Sequence, residues 1–456
     1  MARRAPSPTQ DQDMAIHLPD NPARSDVLAG RPTLWTNPHY TENAIADATL
    51  PVQPSDVDEA QENWRRLAPL LETCFPDLKA TRGEIRSDLV PLEAMRKALD
   101  YDDAQFGTLL VKADSALPVA GSIKARGGVY EVFLFAELLA RREGLLMADE
   151  DIRRLAAPDA KAFFSRYTIA VGSTGNLGLS VGVAARALGF RATVHMSADA
   201  KAWKVERLTR LGVEVVRHDA DYTTAVENAR IAAEIDPTIY FVDDEQSRHL
   251  FLGYSVAALE LAEQLQARGI VVDADHPLFL YLPCGIGGAP GGVAYGAKKV
   301  FGDNVHCFFV EPVQSPCALV HLMSGSEDLV SVYDVGLTNR TEADGMAVAR
   351  MSAFVATVMR RMLAGIFTVD DASLFRWLLS AHQNQNLRLE PSAAAGFAGP
   401  DFIVKHPAGK DFCAYQRIGD HLTGATHIIW TTGGAFVPEE QFQTFLHTAN
   451  DTAATD

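Results

Sequence analysis

Between residues 167 and 243 short apolar runs alternate with stretches at helical spacing, and this alternation constrains the fold more than any other feature. Tyr167–Val171, Arg191–Met196, Val213–Arg217 and Thr238–Val242 read as strands. The segments between them, up to Leu188, over Lys201–Leu211 and over Tyr222–Ile235, read as helices. A β-α-β-α-β-α-β run requires a parallel sheet covered by helices. A second alternation follows: Ser255–Arg268 helical, Leu278–Leu282 a strand, Gly292–Phe301 helical, Val305–Val310 a strand, Ala343–Leu363 mostly helical, Asp371–Gln383 helical and His427–Thr431 a last strand. Upstream, helical spacing runs from about Pro54 to Ala98, and Phe106–Lys112 reads as a strand. The expected fold is α/β with two parallel-sheet units, the smaller (166–245) inserted into the larger (46–165 and 246–456). Residues 1–45 read as an N-terminal arm or tail, and 314–342 give no clear pattern.

Composition narrows the function classes. A formal net charge of −17 argues against a nucleic-acid role. The five cysteines (74, 284, 307, 317, 413) are scattered without C-x-x-C spacing, so a zinc site is not expected and a reducing cytoplasm is. No apolar h-region follows the basic residues near Met1, and no apolar run is long enough to span a bilayer.

Three glycine-rich stretches and one lysine carry the chemistry. Gly172-Ser-Thr-Gly-Asn-Leu-Gly178 joins a strand to a helix and offers hydroxyls, an amide and free helix N–H groups to a carboxylate or other small anion. Leu282-Pro-Cys-Gly-Ile-Gly-Gly-Ala-Pro-Gly-Gly292 leaves successive backbone N–H groups bare, a nest suited to one phosphomonoester. Neither matches a dinucleotide fingerprint or a Walker A loop. Trp430-Thr-Thr-Gly-Gly-Ala435 places a neutral hydroxyl at a strand end. Lys124, following a capping Ser122 in the first turn of a helix, sits where a cation gains nothing from the helix dipole and is more readily a nucleophile. Taken singly, each has a plain structural alternative: a tight turn, a glycine hinge, a capped strand end, a surface lysine. Taken together they are the parts needed to hold pyridoxal 5′-phosphate.

The order of motifs resembles the fold-type II pyridoxal-phosphate enzymes, and within them the D-serine dehydratase group. The resemblance rests on Gly121-Ser-Ile-Lys-Ala-Arg-Gly127, Val171–Gly178, Pro283–Gly288 with Pro290–Gly292, Glu311-Pro312 with Ser315-Pro-Cys317, Ala343-Asp-Gly345, Leu389-Glu-Pro-Ser392 and Thr432-Gly-Gly434. It implies Lys124 as the Schiff-base lysine and Asn176 as the partner of the cofactor's 3′-hydroxyl. Gly285, Ile286, Gly287 and Gly288 would hold the phosphate, and Thr432 would face the pyridine nitrogen. Ser173, Thr174 and Gly175 would take the substrate carboxylate. It also implies a monovalent cation, expected to be potassium, at Glu311 and Ser315, with Cys317 where divalent-ion relatives carry an acid. Ala289 and Ala435 replace glycines of the family pattern.

The implied activity is β-elimination of D-serine to pyruvate and ammonia, and of D-threonine to 2-oxobutanoate, by a cytoplasmic monomer with no nucleic-acid or membrane partner. Lys124 on one face of the substrate and Thr174 on the other are the candidates for moving the Cα proton. The same motifs also allow an L-serine or L-threonine dehydratase, a β-replacement enzyme, or a non-catalytic phosphate-binding protein.

Overall fold

The computed structural model describes residues 18–173, 175–197, 200–218 and 222–453. Its strands in chain order are β1 (Leu34–Thr36), β2 (Leu89–Pro91), β3 (Thr108–Lys112), β4 (Thr168–Gly172), β5 (Arg191–Ser197), β6 (Glu214–His218), β7 (Ile239–Val242), β8 (Leu278–Pro283), β9 (Val305–Pro312), β10 (Gly365–Val369) and β11 (Thr426–Trp430). They form two sheets. The larger runs β1-β10-β9-β8-β11-β3-β2 and the smaller β6-β5-β4-β7. Pairing is parallel except at the two ends of the larger sheet, where β1 and β2 run antiparallel to β10 and β3. All four strands of the smaller sheet are parallel, as the alternation requires.

Burial follows from this wiring. Every residue of β8, β9, β10 and β11 is buried, because crossover helices cover both faces of a parallel sheet. The smaller sheet is more open: β6 has no buried residue, and only Val242 of β7 is buried. No helix among the described residues is long and apolar enough to cross a membrane.

The structure corrects four expectations. The arm is not a free tail from residue 18 onward: Leu18, Val27 and Trp35 are buried, and β1 is an edge of the large sheet. The helix expected over Ala343–Leu363 shrinks to Ala353–Met359. Ser352 ends the preceding irregular segment, its N–H bonded to the Ile286 carbonyl and its hydroxyl accepting from Val355 N. After that helix the chain forms β10, whose Gly365 lets the β1 backbone at Trp35 approach. The helix expected from Gly292 begins at Gly288, so it points its N-terminus at the glycine loop. Finally, Lys124 precedes a π-helical turn, Ala125–Val129, before the α-helix Tyr130–Arg142. Gly127 and Gly128 sit in that turn against Tyr254 and Ser180, where any Cβ would overlap them. Such turns recur at functional sites.

Candidate functional site

One cleft gathers the loops. It lies between the C-terminal ends of β4, β8 and β11 and is lined by Ile123, Lys124, Ser173, Asn176, Gly285, Ile286, Gly287 and Thr432, among others. Its empty volume of ≈ 800 Å³, open mouth included, suits a ligand of cofactor size. Seven of the residues expected to act are therefore brought to one place. Gly175 and Gly288 stand just behind that lining, and Thr174 lies outside the described residues.

On the large-sheet side two chain segments are pinned to each other. Ile123 N donates to Thr432 O at 2.7 Å, and Ser122 bridges Gly433. Lys124 and Thr432 thus hold a fixed separation. Beneath them lies a buried charge network. Arg126 binds Asp114 at 2.7 Å and Glu260 at 2.8 Å, Lys112 binds Glu260 at 2.6 Å, and Trp430 Nε1 donates to Asp114 at 2.9 Å. Burial acts to raise the Asp114 and Glu260 carboxyls, but Arg126 and Lys112 overcome it and hold both below the usual range. Two positive and two negative charges balance, which lets this network stay dry. Arg126 is two residues after Lys124, and Trp430 two before Thr432, so the network fixes the bases of both arms.

The Lys124 amino group lies 3.8 Å from Asp244 Oδ2 and over the Tyr254 ring. Asp244 Oδ1 and the Tyr254 hydroxyl, both buried, have no hydrogen-bond partner among the described residues.

The glycine loop fits a phosphate. The N–H groups of Gly285, Ile286, Gly287 and Gly288 find no partner among the described residues, and they point out of a helix start. Gly287 has φ +109°, open to glycine but strained for other residues. A Cβ at Gly285 would press on the Gly345 carbonyl. Bare donors, a nearby lysine and the neutral Thr432 hydroxyl together suit a planar ring bearing one phosphate ester.

On the small-sheet side, Ser173 Oγ accepts from Gly175 N at 3.0 Å and Gly178 N at 2.9 Å. This closes the loop and leaves the Ser173 O–H as a donor. Asn176 opens the helix Asn176–Leu188, and its Nδ2 donates to Glu390 at 2.6 Å. Ser180 of the same helix donates to the Lys124 carbonyl at 2.8 Å.

Glu311 and Ser315 lie behind the glycine loop rather than in the cleft lining. Glu311 is wholly buried and accepts N–H bonds from Ala318 at 2.8 Å and Leu319 at 2.9 Å. Burial pushes its carboxyl up to about 8. Ser315 Oγ joins Asn339 and the carbonyls of Met346 and Val348. Among the described residues no three His, Cys, Asp or Glu side chains gather as metal ligands.

Four polar residues at or beside the cleft went unassigned in the sequence: Asp244, Lys204, Asp344 and Glu390. The last two stand in short Gly- or Pro-flanked stretches, Ala343-Asp-Gly345 and Leu389-Glu-Pro391, and a lone acid in such a setting is a usable signal. Lys204 and Asp244 carry none, because each sits among other charged residues.

Comparison with known proteins agrees with this geometry. Residues 80–411 match the family described as "Pyridoxal-phosphate dependent enzyme". A probable D-serine dehydratase of Sinorhizobium medicae (strain WSM419) is 75% identical over 436 residues, covering 96% of this chain and 99% of that one. The D-serine dehydratase of Salmonella arizonae (strain ATCC BAA-731 / CDC346-86 / RSK2980) is 49% identical over 427 residues, covering 93% and 97%. Among solved structures, diaminopropionate ammonia lyase from Escherichia coli in complex with D-serine shares the fold, with a TM-score of 0.68 at 19% identity, covering 92% of this chain and 97% of that one. The chain belongs to the family of pyridoxal-phosphate-dependent enzymes, among the D-serine dehydratases.

Proposed function

We propose that this chain converts D-serine to pyruvate and ammonia, and D-threonine to 2-oxobutanoate. The observation that carries the reading is identity of 49% to 75%, over nearly full length, with proteins named D-serine dehydratase. The cleft supports it with a place for each part of the chemistry. Bound pyridoxal phosphate supplies the electron sink for loss of the Cα proton and the 3-hydroxyl.

The residues divide the remaining work. The Lys124 amino group provides the covalent attachment and can carry a proton. The N–H groups of Gly285, Ile286, Gly287 and Gly288 hold the phosphate without a basic side chain. Asn176 meets the ring's 3′-oxygen. Thr432 offers the ring nitrogen a neutral hydroxyl, which restrains electron withdrawal and favours prompt elimination over transamination. The Ser173 hydroxyl and the loop through Thr174 and Gly175 take the substrate carboxylate. That grip would decide which bond at Cα is presented for breaking. The 3-hydroxyl takes up a proton and leaves as one water, and hydrolysis of the released enamine consumes one water and gives the keto acid and ammonia.

A monovalent cation, potassium, at Glu311 and Ser315 is part of this proposal. Its support is a fully buried carboxyl with no cationic partner among the described residues. Oxygen ligands suit a hard cation better than the neighbouring Cys317 thiol does. Equal activity in potassium, sodium and cation-depleted buffers would remove it. A cytoplasmic monomer, as the family resemblance implies, is in keeping with five free cysteines.

The deciding assay is pyruvate or 2-oxobutanoate release from D- and L-serine and D- and L-threonine, side by side. D-serine should lead. Faster turnover of L-serine overturns the substrate assignment.

A further inference from the structure

Two polar bridges cross the cleft from the small-sheet side to the large-sheet side, and the chemistry above uses neither. Asn176 Nδ2 donates to Glu390 Oε1 at 2.6 Å, and Lys204 Nζ donates to Asp344 Oδ2 at 2.8 Å. Lys204 comes from the helix Ala202–Arg210, and its side chain is 1% exposed. It fills the space beside Gly175 that a Cβ would occupy. Burial opposes its charge, but Asp344 and Glu390 hold the ammonium above its usual range.

Glu390 is 4% exposed and lines the cleft. Its place is tightly set. Glu390 N donates to Gly433 O at 3.0 Å. At Gly433 itself, a Cβ would overlap the Glu390 carboxylate and crowd Asn176 Nδ2. The glycine after Thr432 is thus what allows Glu390 and Asn176 to meet.

The bond's direction matters. A carboxamide has a donor end and an acceptor end, and turning it by half exchanges them at nearly equal shape. A carboxylate can only accept; burial raises the Glu390 carboxyl, and the Lys204 ammonium and the Asn176 N–H oppose that rise. With Glu390 occupying one N–H, the second N–H of the same nitrogen is what Asn176 keeps for a ligand.

We propose that Glu390 is a positioning residue that holds the Asn176 amide with its donor end toward the cofactor's 3′-oxygen. This rests on the reading that Asn176 meets that oxygen. Lys204, bonded to Asp344, supports it indirectly: its ammonium favours the ionised, accepting form of Glu390. Glu390 does not touch the reacting atoms. It decides whether the 3′-oxygen meets a donor or an acceptor, and hence which protonation state of that oxygen is favoured.

The test compares Asn176→Ala, Glu390→Met and the double variant, with Glu390→Asp as the conservative control. Two readouts avoid turnover. One is the ratio of the two absorption bands of substrate-free holoenzyme, which reports protonation of the 3′-oxygen. The other is apoenzyme affinity for pyridoxine 5′-phosphate, which lacks the aldehyde and cannot bond to Lys124. Glu390→Met and Asn176→Ala should shift the band ratio severalfold in the same direction and weaken pyridoxine phosphate about tenfold. The double variant should add little to either, as expected for one coupled unit, and Glu390→Asp should restore part of the ratio. Melting temperatures of all four identify any general loss of folding. If Asn176→Ala changes both readouts while Glu390→Met leaves them within twofold, the inference is overturned and the site reading stands. If Asn176→Ala itself changes neither, the placement of the 3′-oxygen fails and the inference with it.

Discussion

On the large-sheet wall of the cleft, the glycine loop and Thr432 follow strands with no exposed residue, and Lys124 stands by four buried charges that balance. On the opposite wall, the 173–176 loop belongs to a four-stranded sheet whose outer strands are half open. Across the cleft that wall makes polar contacts, Asn176 to Glu390, Lys204 to Asp344 and Ser180 to the Lys124 carbonyl, and away from the cleft it shares an apolar core with the larger unit, Tyr240 stacking on Phe135. Stability is not uniform across a structure, and regions with few buried apolar contacts open first. The difference separates two requirements. Groups that must keep register with one another share a rigid base. The loop at 172–178 sits instead on a unit whose outer strands are open to solvent.

The largest expected effect breaks the rigid wall at its reacting atom. Lys124→Ala should fold with a near-normal melting temperature and lose turnover by several orders of magnitude. Borohydride treatment of the wild type, followed by peptide mapping, should label Lys124; a label on any other lysine would place the chemistry elsewhere. Next is Gly287→Asp. A carboxylate facing a phosphate in a poorly solvated nest should weaken cofactor affinity at least a hundredfold, whereas the strain of φ +109° costs about 1–2 kcal/mol of folding. Titration of the apoenzyme with pyridoxal phosphate, beside thermal melts, checks this, and an unchanged dissociation constant rejects the nest.

A paired substitution tests the comparison directly. Arg126→Met leaves Asp114 and Glu260 short of one positive charge and should cost about 3–5 kcal/mol in denaturant unfolding. Lys204→Met removes one bridge to Asp344, which is partly open. It should lower stability much less and act mainly on KM for D-serine. Equal stability losses would mean that the walls are not built differently.

The smallest effect concerns Glu131, on the helix Tyr130–Arg142, which accepts from Tyr240 of β7 at 2.9 Å and from Ser247 at 2.5 Å. Burial pushes its carboxyl up to about 7. The unfolded chain releases this proton from its ordinary value of 4.5, whereas the folded chain keeps it until about 7. Stability is therefore lost as pH rises across that window and is level above it. Glu131→Gln should be more stable than wild type at pH 8 by about 2–3 kcal/mol, with the gap closing toward pH 5. A gap independent of pH would reject the assignment.

How far these walls were legible in sequence depended on how local their causes are. The small sheet was readable because each strand and helix carries its own apolar period between residues 167 and 243. The loops at 172–178 and 285–292 were readable because glycine between a strand and a helix has few structural uses. β1 was not, since a three-residue strand has no period and exists only through its pairing with β10. β10 was missed for a related reason. Gly365–Val369 is a short run that follows directly on the helical spacing of 343–363, and its strand identity comes from pairing with β9 and β1. Lys204 was not assigned because it sits among other charged residues, and a charged residue is usually a surface one; Glu390 carried a signal only in its Leu389-Glu-Pro391 setting. Their burial comes from partners on the other side of the cleft.

The place of β11 in the large sheet has a consequence for biosynthesis. It pairs with β8 on one side and β3 on the other, and so stands between strands that are translated long before it. Until Thr426–Trp430 has left the ribosome, the ends of β3 and β8 have no strand to join them, and Lys124 has no Thr432 to lie beside. The small sheet needs only residues 168–242 and can close while synthesis continues. All strands of the small sheet are therefore made well before the large-sheet wall of the cleft can be complete. The wall that carries Lys124 and Thr432 is completed only when this late central strand docks between β3 and β8.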